Sequence, residues 1–147
     1  MNPDDAVGEV HAVEALNGEL YAAFETADID RMGALWDDAD DVVCVHPGWP
    51  LLRGRAHVLR SWSVIMANTT YIQFVLTDVT VSVDGDVAVV NCQENILTGL
   101  DADTGFGDSA RVCATNVYRR RGNGWRLWVH HGSPVLEPRA PVADEPG

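Results

Sequence analysis

Lysine is absent from this chain of 147 residues, and all ten basic side chains are arginine. Against them stand 22 Asp and Glu residues, so the formal net charge is −12. The shortage of positive charge is uneven. Residues 1–41 hold twelve acids and only Arg31, whereas residues 42–147 hold ten acids and nine arginines. A surface of this sign argues against nucleic acid or an anionic membrane as partner, because both are held by positive potential. Cysteine is scarce as well. Cys44, Cys92 and Cys113 are odd in number, widely spaced and outside any C-x-x-C pairing. That argues against a disulfide framework or a structural zinc site, and each cysteine reads as a small reduced core residue. No apolar run approaches the roughly 20 residues of a membrane span. The opening MNPDDAVGEV has no basic cluster followed by an apolar segment, so no secretory signal is visible. Together these absences point to a cytoplasmic protein. Arginine without lysine, beside abundant Ala, Val, Gly and Asp, is the usage expected of a GC-rich bacterial genome.

What is present fits an ordered globule. The 46% hydrophobic fraction is too high for a disordered chain. The length suits one domain that buries roughly 70% of its unfolded surface. In residues 6–26, Val10, Val13, Leu16, Leu20 and Phe24 recur at helical spacing with acids on the other face. Asp28 is placed to N-cap a second helix with Met32, Leu35 and Trp36 on its apolar side. Residues 42–46 (VVCVH) read as a short strand halted by Pro47-Gly48, and residues 55–68 return to helical spacing through Val58, Leu59, Trp62, Ile65 and Met66.

Everything beyond is β-like. The inward set Ile72, Phe74, Leu76 changes phase to Val79, Val81, Val83, the signature of a β-bulge. Asp84-Gly85 turns into residues 86–98, a Gly- and Asp-containing loop follows at about 99–109, and a strand spans 110–121. Gly122-Asn123-Gly124 turns into a last strand at 125–131. The expected architecture is α+β: a curved, cone-shaped antiparallel sheet packed on three N-terminal helices, in a single domain over 1–133. Residues 134–147 read as a flexible, Pro-rich C-terminal tail.

Three segments carry a family resemblance: LYAAFETADIDRMGALW, VCVHPGWPLLRGRAHVLRSW and YRRRGNGWRLWVHHGSP. Through them, residues of about 8–135 resemble the nuclear transport factor 2-like superfamily, and within it the SnoaL-like group. The second segment is the most specific, because strand, HPGW loop and R-G-R helix start occur together. The resemblance implies the curved sheet, three helices, a pocket and commonly a dimer. It does not imply one reaction, since the superfamily includes ketosteroid isomerase, polyketide cyclases, scytalone dehydratase and limonene epoxide hydrolase beside modules that only bind or associate. The catalytic set of none of these enzymes is matched here, so no catalytic residue is carried over.

The candidate chemistry therefore rests on the residues themselves. Glu94 is the only charge in a row of Ala88, Val90, Cys92 and Ile96, where burial would raise its pKa into the range of a general acid or base. A salt bridge to Arg111, or a slip that puts Glu94 in water, is the bland alternative. His46 ends its strand on the face of Val42 and Cys44. His131 is expected to share a face with Trp125, Leu127 and Val129, and His130 to point the other way with Trp128. His46 or His131 could partner Glu94, although a core histidine satisfied by backbone is the commoner case. A metal held by His46, His131 and Glu94 has the right donor types but no supporting local spacing, so no metal or cofactor is expected. Tyr21, Trp36, Trp49, Trp62 and Phe74 are candidate cavity walls, and Asn17 lies one turn before Tyr21. Arg53 and Arg55 bracket a helix start that could favour an anion, with pairing to the acidic helices the simpler use. The Arg119-Arg120-Arg121 run with Arg126 is a local basic patch at a hairpin, and in a chain of this charge it is expected to pair with acids at an interface or stay solvated.

Two functions follow. In the first, an aromatic-lined cone binds a compact apolar or aromatic metabolite. If catalytic, it performs cofactor-free isomerisation, cyclisation or dehydration, with Glu94 as base or acid, His46 or His131 as partner and Tyr21 as donor to a developing oxyanion. In the second, the chain is a non-catalytic binding or dimerisation module whose outer sheet face, including Thr115, Val117 and Trp128, makes a homodimer.

Overall fold

The computed structural model describes residues 3–99 and 108–136. Helix α1 (Pro3–Glu25) buries Val13, Asn17, Leu20 and Tyr21, a stripe at spacings of three and four that faces the sheet. Helix α2 (Ile29–Leu35) begins where the Asp28 side chain accepts from Arg31 N at 3.0 Å, the expected N-cap. Strand β1 (Val43–Val45) and the two-residue β2 (Leu52–Arg53) lead to α3 (Arg55–Ala67). Gly54 makes the turn into α3 at φ +89°, and a Cβ there would lie 3.3 Å from Asp40 Oδ1, so both conformation and space ask for glycine.

Four long strands follow: β3 (Ile72–Asp84), β4 (Val87–Thr98), β5 (Asp108–Arg121) and β6 (Gly124–Pro134). The six-stranded sheet runs β2-β1-β6-β5-β4-β3. It is antiparallel except that β1 lies parallel to β6, pairing Cys44 with His130. The sheet is thus mixed, and the parallel step brings the HPGW loop beside the end of β6. Tight β2 was not legible as a strand, because two residues give no alternation. The predicted phase change in β3 is a bulge between Thr77 and Thr80, with Asp78 at φ +54°. A second, unpredicted bulge lies between β5 and β6. Val117 pairs with Val129 and Tyr118 with Leu127, leaving Trp128 without an opposite residue.

The core lies between the helices and the concave face of the sheet, where Leu20, Met32, Trp36, Val90, Tyr118 and Leu127 are fully buried. Each such side chain contributes about 1.5–3 kcal/mol through removal from water. The arginine run is a clamp on the helical layer. Arg119 and Arg121 meet the buried Asp37 carboxylate at 2.5 and 2.8 Å, and Arg119 also binds Asp41. Arg120 bonds Glu9 at 2.9 Å and lies over the Trp125 ring. Arg55 donates to the carbonyls of Gly33, Trp36 and Asp37, so its guanidinium caps α2 and is not held out for an anion. All three cysteines are free, but Cys113 is exposed on the outer face, contrary to the expected core position. No helix among the described residues is long and apolar enough to cross a membrane. Most of the loop expected at 99–109, and the predicted tail beyond residue 136, lie outside the described residues.

Candidate functional site

Strand parity on β4 carries Ala88, Val90, Cys92 and Glu94 to the concave side, so the charge enters the apolar interior as the spacing predicts. Glu94 is 4% exposed. Its Oε2 accepts the Tyr21 hydroxyl proton at 2.6 Å. Burial pushes the carboxyl up to about 7, with the Tyr21 hydrogen bond opposing in part. Burial and the neighbouring carboxylate in turn hold the Tyr21 phenol far above its ordinary range, so Tyr21 remains a donor.

Tyr21 is held from the other side by β5. Asn116 Nδ2 donates to the Tyr21 oxygen at 3.1 Å and to Asn17 Oδ1 at 2.9 Å, and Tyr118 also donates to Asn17 Oδ1. With both amide protons spent in this way, Asn116 Oδ1 is the acceptor for His130 Nδ1–H at 2.5 Å. Three hydrogen bonds therefore run in one direction, from His130 through Asn116 and Tyr21 to Glu94. Asn116 belongs to the inward row Val112, Ala114, Asn116, Tyr118. It is the lone amide there as Glu94 is the lone charge of its row, and this is the signal by which it can be read.

The histidine that enters is His130, and the expectation for His131 is corrected. His130 is 4% exposed, whereas His131 is exposed on the outer face. The cause is the bulge at Trp128, which shifts the alternation of β6 by one residue. His46 does face inward. Ser61 Oγ donates to Val58 O at 2.6 Å, so it accepts His46 Nε2–H at 2.8 Å. Desolvation lowers both imidazoles, His46 to about 4 and His130 to about 3, and both are neutral near pH 7. The metal trio considered from sequence is broken by the facing of His131, and among the described residues no group of three or more potential metal ligands occurs.

These groups border a cavity of about 210 Å³. Tyr21, Phe24, Trp49, Trp62 and Phe74 form its aromatic wall, Ile65, Ile72 and Ile96 add aliphatic surface, and His46, Glu94 and His130 supply the polar lining. The aromatic rings pack edge-on, with Phe24 and Trp62 at 5.1 Å and His46 and Trp62 at 4.7 Å between centroids. Trp36 is corrected from wall to core: it is fully buried and bridges Leu127 away from the cavity. Gly132, two residues beyond His130, lets Pro47 close over this end of the cavity, since a Cβ would lie 3.1 Å from the Pro47 ring. A second depression, of about 380 Å³, opens on the outer sheet face beside Gln73, Asn95 and Arg111. Among the described residues it is lined by no carboxylate or imidazole, so of these two the smaller cavity holds the acid–base groups.

The comparisons agree with this architecture. A family model described as the SnoaL-like domain matches residues 13–137. A solved structure from Streptomyces avermitilis, described as a "putative dehydratase from the NTF2-like family", is 49% identical. The match covers 88% of this chain and 99% of that one, with a TM-score of 0.80. A Thiobacillus denitrificans structure, described as a "putative calcium/calmodulin-dependent protein kinase type II association domain", is 33% identical over 84% of this chain and 94% of that one, with a TM-score of 0.73. An NTF2-like protein of unknown function from Pseudomonas putida KT2440, 23% identical, shares the fold at a TM-score of 0.75 over 95% of this chain and 98% of that one. The comparison with curated proteins returns no match. The chain belongs to the SnoaL-like domain family of the nuclear transport factor 2-like superfamily.

Proposed function

We propose that this chain binds a compact apolar or aromatic metabolite in the concave cavity and carries out cofactor-free proton transfer on it. Isomerisation, cyclisation and dehydration beside a carbonyl all fall in this class. The observation that carries the reading is Glu94: a single carboxyl in an aromatic cavity, hydrogen-bonded to Tyr21 and poised at about 7. Near neutral pH such a group exists in both protonation states, which suits a general acid or base. His130 takes the partner role that the alternation of β6 assigned to His131, and His46 is the second candidate. The description of the Streptomyces relative favours dehydration within this class.

The experiment is a metabolite screen by thermal shift, followed by turnover assays on wild type and Glu94→Gln. Retained binding with turnover reduced 10²- to 10⁴-fold is the expected result for loss of a general acid–base group. Equal thermal shifts with no turnover in either protein would leave a binding module. That second reading draws on the association-domain relative and on the outer sheet face, where Val75 is 58% exposed and Val117 and Val129 lie alongside each other. We expect this face to form a homodimer in the cytoplasm. Trp128 does not belong to the dimer patch as first drawn, because its ring stacks beneath Arg119 and its Nε1–H donates to Asp41 O. Size-exclusion chromatography with light scattering tests the dimer, and Val75→Glu should shift it towards monomer. A wild type that stays monomeric at high concentration refutes it.

A further inference from the structure

The hydrogen-bonding character of the cavity follows from where its protons already reside. Asn116 fixes His130 as the Nδ1–H tautomer and so leaves Nε2 as a lone-pair acceptor. Ser61 fixes His46 as the Nε2–H tautomer, leaving Nδ1 with only the Cys44 sulfur, 4.0 Å away. Glu94 has Oε2 engaged by Tyr21 and Oε1 free of protein partners. Among the described residues, the enclosed side-chain N and O atoms without a partner are the indole N–H groups of Trp36 and Trp62. The unbonded Nε2 of His130 and Oε1 of Glu94 are not enclosed in that sense, and both residues line the cavity. Of the neighbouring donors, the Tyr21 proton is spent on Glu94 and the Trp62 N–H is sealed by surrounding atoms, while Trp49 is 40% exposed. Among the described residues, no arginine lines the cavity. The polar lining is therefore acceptor-rich, lacks fixed positive charge and sits in an aromatic shell.

We infer that the ligand is an uncharged molecule of about one ring in size carrying a hydroxyl group, which donates its proton to His130 Nε2. The inference rests on the reading of this cavity as a small-molecule site and names the ligand class it takes. Size follows from volume: an engineered protein cavity of about 150 Å³ accepts benzene, and this one holds about 210 Å³. The hydroxyl follows from acceptor atoms that need a donor, because burying them unpaired costs free energy. Neutrality follows from the wall. A carboxylate ligand would meet the His130 lone pair and a second carboxyl with no cation among the described lining residues, and an ammonium would lose its hydration for one half-ionised partner.

The test compares four probes of similar size at pH 7, namely phenol, toluene, benzoate and benzylamine, by ligand-observed NMR titration of the full chain. Phenol should bind about tenfold more tightly than toluene, consistent with one hydrogen bond to a buried acceptor, and benzoate and benzylamine should bind more weakly than toluene. In protein labelled with ¹⁵N-histidine, phenol but not toluene should move the His130 Nε2 resonance towards the hydrogen-bonded range. This readout needs no variant and so does not depend on a substituted protein folding. Phenol and toluene binding equally, or either charged probe binding more tightly than phenol, would overturn the inference while leaving a small-molecule cavity. Failure of all four probes would overturn both. Phenol selectivity in a protein without turnover would sustain the ligand class and reject only the acid–base chemistry.

Discussion

At the scale of single residues, the Glu94–Tyr21 contact is the feature most open to direct measurement. The Tyr21 hydroxyl favours the ionised carboxylate, while burial favours the protonated form and prevails. A ¹³C NMR titration of the Glu94 carboxyl should give a midpoint near 7, and in Tyr21→Phe that midpoint should move higher still. A midpoint near 4.5, or a downward move in the variant, would contradict the assignment. Glu94 is legible in the sequence because a lone charge in an alternating apolar row can hardly face anything but the interior or a register error. His130 is not legible. The residue that makes the bulge, Trp128, is itself apolar, so the row Trp125, Leu127, Val129, His131 alternates as well as the true one and carries no warning. Tyr21, Trp49, Trp62 and Phe74 line the cavity. Trp36 lies in the core instead, and nothing in its helical spacing separates a core indole from a cavity indole.

At the scale of elements, the β5–β6 hairpin is tied to the segment after α2 by charge. Asp37 is buried beneath Arg119 and Arg121, and their hydrogen bonds hold its carboxyl down at about 2 despite the opposing effect of burial. Asp37→Ala leaves two guanidinium groups without their shared acceptor. It should cost about 2 kcal/mol, less than a fully buried pair because both arginines keep contact with water. Urea unfolding at pH 7 measures this, and a change below about 0.5 kcal/mol would reduce the clamp to a surface pair. Because the folded pKa is depressed, the stabilisation is present above pH of about 4, the unfolded value, and is lost as pH falls towards 2. The Asp37→Ala penalty should shrink over that window. The helices, the Asp28 cap, the β3 bulge and the hairpin turns are all readable from periodicity and turn chemistry. What pairing partner each arginine takes is not, because the run contacts residues 34 to 111 positions away.

At the scale of the molecule, stability and site chemistry pull against each other with pH. His46 and His130 are buried neutral, with pKa values below the unfolded 6.5, so the unfolded chain gains protons first and stability falls as pH drops below about 6.5. Glu94 has the opposite sign: its raised pKa makes burial costlier as pH climbs from about 4.5 to 7. Two histidines outweigh one carboxyl, so the wild-type stability should rise from pH 5 to about 6.5 and then level or dip. Glu94→Gln keeps an acceptor for Tyr21 without the charge. It should stabilise the protein by about 2 kcal/mol more at pH 8 than at pH 5, read from urea midpoints at the two pH values. A pH-independent effect would mean that Glu94 ionises as freely in the fold as outside it.

The bulge at Trp128 also bears on how the site tolerates change. Without it, the alignment of Tyr118 with Leu127 would run on unchanged and set Asn116 opposite Val129 and His131 opposite Ala114. No imidazole would then stand across from the amide that orients it. The histidine doublet is therefore no spare for the site: the one extra residue brings His130 to Asn116, and a slip of this strand by one position forfeits the oriented imidazole.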